Sequence, residues 1–266
     1  MENTSSVNNR ERLPSDLSQT ASVIRYDLLK HLRSKRLLGL LVIEVLILVL
    51  MSVLPTLLGV DLSDTSPADY MAIYVNYVDL LLVIGVTMFA GDAIVSEFQN
   101  RTGYLLFPNP VKRYVIYLGK LISTVVVITL MIVVYYGVAA LATLVITGES
   151  TELWVYSMLF AICYGVAAAA VGFFISSLMK GTTGALVLTF FLLSMILSIV
   201  AFVLMMADID PIFVLTTTGS AISGLMTSPY PSDYPDIGQS LLVIMVYTIV
   251  LTAAGMLIFK RREMVS

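Results

Sequence analysis

Residues 91–113 read GDAIVSEFQNRTGYLLFPNPVKR, a polar knuckle set between two long apolar runs. It concentrates Asp92, Glu97, Arg101, Pro108, Pro110 and the pair Lys112-Arg113 in a chain of 266 residues that is 58% hydrophobic and only 12% charged. Soluble domains carry about 25% charged residues. A mean hydropathy of +0.94, with apolar runs on both sides of the knuckle, places the chain among polytopic membrane proteins.

Working outward, six segments are long and apolar enough to cross, at about 37–59, 71–95, 115–147, 152–178, 182–207 and 239–259. A hydrocarbon core of ~30 Å needs about 20 residues of helix. In lipid every backbone polar group must be satisfied within its own segment, and the alternation of a membrane barrel is missing, so the spans are helices. The third is too long for one upright crossing and is expected to start in the interface near Tyr114 and enter the bilayer after Lys120. The fold class is therefore all-α, with one six-span domain over 21–266 and a polar tail over 1–20 that reads as disordered.

Charge fixes the expected orientation. With the N-terminus inside, all fifteen Lys and Arg fall before the first span, at the knuckle and Lys120, at Lys180, or after the last span. The other connections hold only acids: Asp61, Asp64, Asp69, Glu149, Glu152, Asp208, Asp210, Asp233 and Asp236. The positive-inside rule gives both termini cytoplasmic. A net charge of −3 gives no basic balance for nucleic acid. Residues 18–36 are amphipathic, with Ala21, Ile24, Leu28, Leu29 and Leu32 on one side and Arg25, Lys30, Arg33, Lys35 and Arg36 around the rest. Such a helix lies in the interface with its cations near anionic headgroups. The last outer connection, 208–238, begins apolar and small and ends in prolines and acids, the pattern of a re-entrant or interfacial helix pair. Tyr70, Tyr74, Tyr77, Trp154 and Tyr156 cluster where an aromatic belt belongs.

The knuckle itself starts as the second span emerges at Asp92 and Glu97. Phe98, Thr102, Leu105 and Leu106 recur at helical spacing through 97–107. Pro108 ends that helix and Pro110 fixes the turn that follows. Its exposed Leu-Leu-Phe needs a cover, and a protein partner covers it better than water. The order Asp92, Glu97, Arg101-Thr102, Leu105-Leu106, Pro110-Val111-Lys112-Arg113 and Lys120, with Phe259-Lys260-Arg261-Arg262 at the end, resembles the signature of the type-2 ABC transporter permeases. The chain departs from it at Arg101, where many relatives have Gly, and in the run Phe107-Pro108-Asn109.

The resemblance implies an interfacial helix, six spans and a cytoplasmic coupling helix seated in a groove of a separate ATPase subunit. Glu97, Phe98, Arg101, Thr102, Leu105, Leu106, Phe107, Pro110, Lys112 and Arg113 would make that contact. It also implies a second permease copy, as homodimer or heterodimer, and export as the direction. ATP and Mg would belong to the partner, because no G-x-x-x-x-G-K-[ST] occurs here and no soluble stretch could fold into a nucleotide domain. No cofactor or metal site is expected in this chain, and membrane lipids are its other partner.

Polar residues also lie inside the spans. Glu44 sits in the first, and Asn76 and Asp79 share a face of the second. Each acid costs roughly 2.5–3.5 kcal/mol at mid-bilayer, so these three either line a path or gate or make a structural hydrogen bond across packed helices. Two other classes would use such acids: an ion-coupled secondary transporter and an intramembrane enzyme. The enzyme lacks a ligand set, since the only histidine, His31, lies outside the spans. Ala161, Gly165, Ala169 and Gly172 form a small face for close helix packing. Cys163 is expected as a small buried residue.

Overall fold

The computed structural model describes residues 15–59, 65–99 and 112–261. Every regular element among them is helical. Helix α1 spans Asp16–Leu32 and α2 spans Lys35–Leu57. The next run is broken into α3 (Pro67–Val75), α4 (Val78–Ala90) and α5 (Val95–Gln99). Helices α6 (Arg113–Thr147) and α7 (Leu153–Leu178) are continuous. A π-turn at Leu192–Ile196 divides the following run into α8 (Thr182–Phe191) and α9 (Leu197–Met206). Two short helices, α10 (Leu215–Gly219) and α11 (Ala221–Gly224), precede α12 (Ile237–Arg261).

Six described helical runs are long and apolar enough to cross a membrane: Lys35–Pro55, Pro67–Gln99, Arg113–Thr147, Leu153–Leu178, Thr182–Met206 and Ile237–Arg261. They lie within a few residues of the ranges read from the sequence. The second and fourth form the centre, with 72% and 67% of their apolar windows buried, against 11% for the fifth and sixth. The small face explains this. A Cβ on Gly172 would stand 2.7 Å from the Cβ of Ala90, so α4 and α7 meet at glycine. α12 runs along α7, where Gly255 makes room for the Tyr117 hydroxyl. At 1.5 Å per residue α6 is about 52 Å long, well over a ~30 Å core, and its first two turns lie under α1. Gly119 permits that crossing, since a Cβ there would come within 2.6 Å of Val23 Cγ1.

The structure corrects three expectations. Residues 16–20 belong to α1 and not to the tail, because the Ser15 side chain accepts from the Ser18 N–H and caps the helix, a bond that favours the first turn. Residues 1–14 lie outside the described residues. Tyr70 and Tyr74 are fully buried, so they are not belt residues; Tyr74 bonds Ser52 at 2.8 Å and Tyr70 at 3.0 Å. Burial of a phenol is tolerable once its hydroxyl has such partners. Tyr156 is exposed, as a belt residue would be. Cys163 is exposed on α7, because the helix turns its Ala and Gly residues inward. The connection 208–236 does fold as a helix pair, held to α7 by Ser157, whose hydroxyl donates to Ile222 O at 2.7 Å.

Candidate functional site

The basic end of the bundle converges on the root of the knuckle. Helix α4 stops at Ala90, and the chain turns through 91–94 into α5. Ser176 of α7 holds the turn: its Oγ accepts from both the Ile94 and Val95 N–H at 3.0 Å. Those are orphan donors at a helix start, and a side-chain oxygen satisfies them. Phe98 meets Phe259 of α12 edge-on at 5.8 Å. Gln99 accepts from the Thr182 N–H at 2.9 Å and so caps α8. Through Val95, Phe98 and Gln99, α5 thus touches α7, α12 and α8.

Lys120 of α6 completes the junction. Its Nζ lies 2.7 Å from Glu97 Oε1 on α5 and 3.0 Å from Asp27 Oδ1 on α1. All three side chains are nearly buried, at 7%, 10% and 8% exposure. Asp27 also accepts from Ser123 and faces His31 Nε2 at 3.1 Å. The His31 ring packs edge-on against Phe89. Burial by itself would raise the Asp27 carboxyl. The His31 hydrogen bond, the Lys120 charge and the Ser123 hydrogen bond outweigh it and hold Asp27 well below the usual carboxylate range. Lys30 adds a rim contact to Glu97 at 3.7 Å.

Two further ties flank the knuckle. Arg36, at the start of α2, pairs with Asp92 at 2.9 Å and donates to Met88 O. Lys112, at the start of α6, pairs with Asp16 at 2.7 Å, and Tyr114 donates to the same carboxylate. Hydrogen bonds from Lys112 and Tyr114 lower the Asp16 carboxyl, and donating to Asp16 raises the Lys112 ammonium. Arg113 donates to the carbonyls of Phe259 and Lys260, capping α12. That is where a cation best meets a helix dipole. A polar cleft of about 410 Å³ opens between α1, α5 and the start of α8, lined in part by Lys30, His31, Arg36 and Ser96.

Of the residues expected at the partner contact, Glu97, Phe98, Lys112 and Arg113 stand at this junction, each engaged within the chain. Arg101, Thr102, Leu105, Leu106, Phe107 and Pro110 lie outside the described residues. Asp92 pairs with Arg36, not with Lys120 or Arg113, because α2 starts beside the end of α4. Asp27, Ser123 and Ser176 were missed. The available signal was Asp27 itself, an acid three residues from Ile24 on the apolar side of a basic helix.

The span residues separate. Glu44 is 2% exposed, its Oε2 has no hydrogen-bond partner, and it borders a cavity of about 20 Å³ with Tyr135, Tyr136 and Met131. That is room for about one water. Asn76 and Asp79 are exposed. Among the described residues no cluster of His, Cys, Asp or Glu could hold a metal ion. The sequence profile described as ABC-2 family transporter protein matches residues 21–264. A comparison with curated proteins finds no match.

Proposed function

The chain belongs to the ABC-2 family of transporter membrane proteins, and on that premise we propose that it is a permease subunit whose knuckle docks on a separate ATP-hydrolysing subunit. Both termini and the knuckle are assigned to the cytoplasm, following the placement of every Lys and Arg. A second permease copy completes the translocator, and export is the direction. The observation that carries the coupling role is the Lys120 junction. A lever must not bend at its root, and here one buried ammonium ties the root of the knuckle to α1 and α6. The segment beyond the root, with Leu105, Leu106 and Phe107, supplies the grip, at about 25 cal/mol per Å² of apolar area buried. Pro108 and Pro110 stiffen it. ATP and Mg are assigned to the partner.

The test is co-purification from the native membrane. The chain should bring down a subunit that hydrolyses ATP, and Leu105→Asp should lose it while keeping the thermal stability of the parent. Equal recovery of the ATPase with Leu105→Asp would remove the proposed contact. Labelling of Asn109→Cys from the extracytoplasmic side would reverse the orientation.

A further inference from the structure

Along the outward face of α2, from Leu38 to Leu57, runs an apolar groove of about 650 Å³. Its lining residues recur at helical spacing, as in Leu38, Val42, Val45 and Val49, so they share one face. Buried Leu37, Leu40, Glu44, Ile47 and Leu48 occupy the other. At 1.5 Å per residue the groove is about 28 Å long, close to the depth of a hydrocarbon core. Acyl chains or another helix could cover it, and the charge at its foot decides between them.

The foot is basic. Lys35 stands three residues before Leu38 and seven before Val42, hence on the groove face. It is exposed and forms no ion pair among the described residues. Arg36 lines the polar cleft of about 410 Å³, which Lys30 of α1 also borders. Their side chains are 46% and 63% exposed, whereas the acids they meet, Asp92 and Glu97, are 9% and 10% exposed. The carboxylates thus lie behind the cations, and the face turned outward is positive. Arg36 bonds Asp92 and Met88 O through Nη1. A guanidinium has five N–H donors, so Nε and Nη2 can serve a further acceptor. Ser34, Ser96 and Thr182 add hydroxyls to the same cleft. The cleft lies at the basic ends of spans one, two and five, where Arg36, Asp92 and Thr182 border it. Beside it α1 exposes Leu29 and Leu32 together with Lys30 and Arg33, as a helix lying at headgroup depth does.

We infer that the corner of α1 and α2 is a seat for an anionic phospholipid of the leaflet at the basic end. Lys35, Arg36 and Lys30 hold the phosphate, and an acyl chain lies in the lower half of the α2 groove. The inference goes beyond the permease reading and does not depend on it. A phosphodiester with an uncharged polyol headgroup, as in phosphatidylglycerol, fits best. It brings one negative charge to the cations and hydroxyls to Ser34, Ser96 and Thr182. A choline headgroup would bring a second cation beside Lys30 and Arg36. A second copy packed α2 on α2 would offer Lys35 no acid, because Glu44, the one acid of α2, is buried on the other face.

The lipid in the groove can be read directly. Trp154 is the only tryptophan, so in a Trp154→Phe background Val42→Trp places a single reporter in the groove, about 10 Å above Lys35. The full chain is reconstituted in mixed bilayers of phosphatidylcholine and phosphatidylglycerol, with brominated acyl chains on one or the other. Quenching then gives the relative binding constant. Each basic residue beside an anionic lipid contributes about fivefold. Phosphatidylglycerol should therefore be preferred by about tenfold or more at Val42→Trp, and by no more than about twofold at Phe202→Trp on α9, which has no basic residue. Lys30→Gln with Lys35→Gln should bring the groove preference below about threefold; both side chains are exposed, so the fold is kept. Should Val42→Trp fail to fold, Leu46→Trp reads the same groove. A preference near one at the groove, or one unchanged by the two substitutions, would overturn the seat. So would a preference that vanishes in about 1 M salt, the mark of diffuse attraction alone. Its loss when inorganic phosphate replaces chloride at equal ionic strength would mean a site for free anions and not for lipid. A reporter quenched by neither lipid would mean that a second copy covers the groove, and would overturn the seat as well.

Discussion

Lys120→Met removes one ammonium and keeps the side-chain length. Two carboxylates then lose their shared cation in a buried place. Removing one member of a buried pair costs about 3–5 kcal/mol. Each acid keeps other contacts: Asp27 has His31 and Ser123, and Glu97 has Lys30 at 3.7 Å. The lower end, about 3 kcal/mol, is therefore expected, and at about 2–4 °C per kcal/mol it lowers Tm by roughly 6–12 °C. The fluorescence of Trp154, the only tryptophan, reports the transition in a thermal scan. The triple variant Lys120→Met, Glu97→Gln, Asp27→Asn removes the uncompensated charges along with the pair. It should recover at least half of the loss, since well-packed neutral groups replace buried ion pairs at little cost. A Lys120→Met Tm within about 2 °C of the parent would refute the reasoning, as would a triple variant no more stable than the single one.

Asp27 is held below its ordinary value of about 3.9, so its contribution is complete above that value and is lost as pH falls through about 4 toward the folded value. Scans from pH 6 to pH 3 should show a falling Tm, and Asp27→Asn should start lower and fall less. Gly172→Ala drives a methyl to 2.7 Å from Ala90 Cβ and should destabilise by about 1–3 kcal/mol. Gly137→Ala, with nothing within 4 Å, should stabilise by a few tenths up to about 1 kcal/mol through helix propensity; chemical denaturation in mixed micelles compares the two. Glu44→Gln removes a carboxyl whose Oε2 lacks a partner and should raise stability by about 1 kcal/mol; a fall in Tm would mean that the carboxylate is bonded after all.

The spans were legible because a bilayer imposes a length and an apolar composition that packing cannot override. The small face of α7 was legible for a related reason: only glycine and alanine let Gly172 meet Ala90 at van der Waals distance. Tyr70 and Tyr74 were not legible as core residues, since a tyrosine near a span end satisfies a belt and a buried hydroxyl network equally well. What distinguishes the two is Ser52 on another helix. Asp27 shows the same limit. Within α1 it reads as a flaw in an amphipathic stripe, and it gains a reason only when Lys120, 93 positions later, supplies the charge. The π-turn left no trace in composition, because its residues, Leu-Leu-Ser-Met-Ile, are ordinary in a transmembrane helix.

The distribution of packing determines what a push at the knuckle can move. Glu97 is tied to α6 through Lys120, and the turn before it is tied to α7 through Ser176. Both helices run unbroken to the acidic end, where Tyr135 of α6 donates to Tyr74 O at 2.9 Å and Ser157 of α7 holds Ile222. Spans two, three and four, with the short-helix cap, therefore shift together. α9 shares none of these ties below its cap contact, so the soft coordinate is its separation from α4. On the proposed coupling, a push at the basic end would move spans two to four as one unit and leave α9, which has no buried residue, the least constrained.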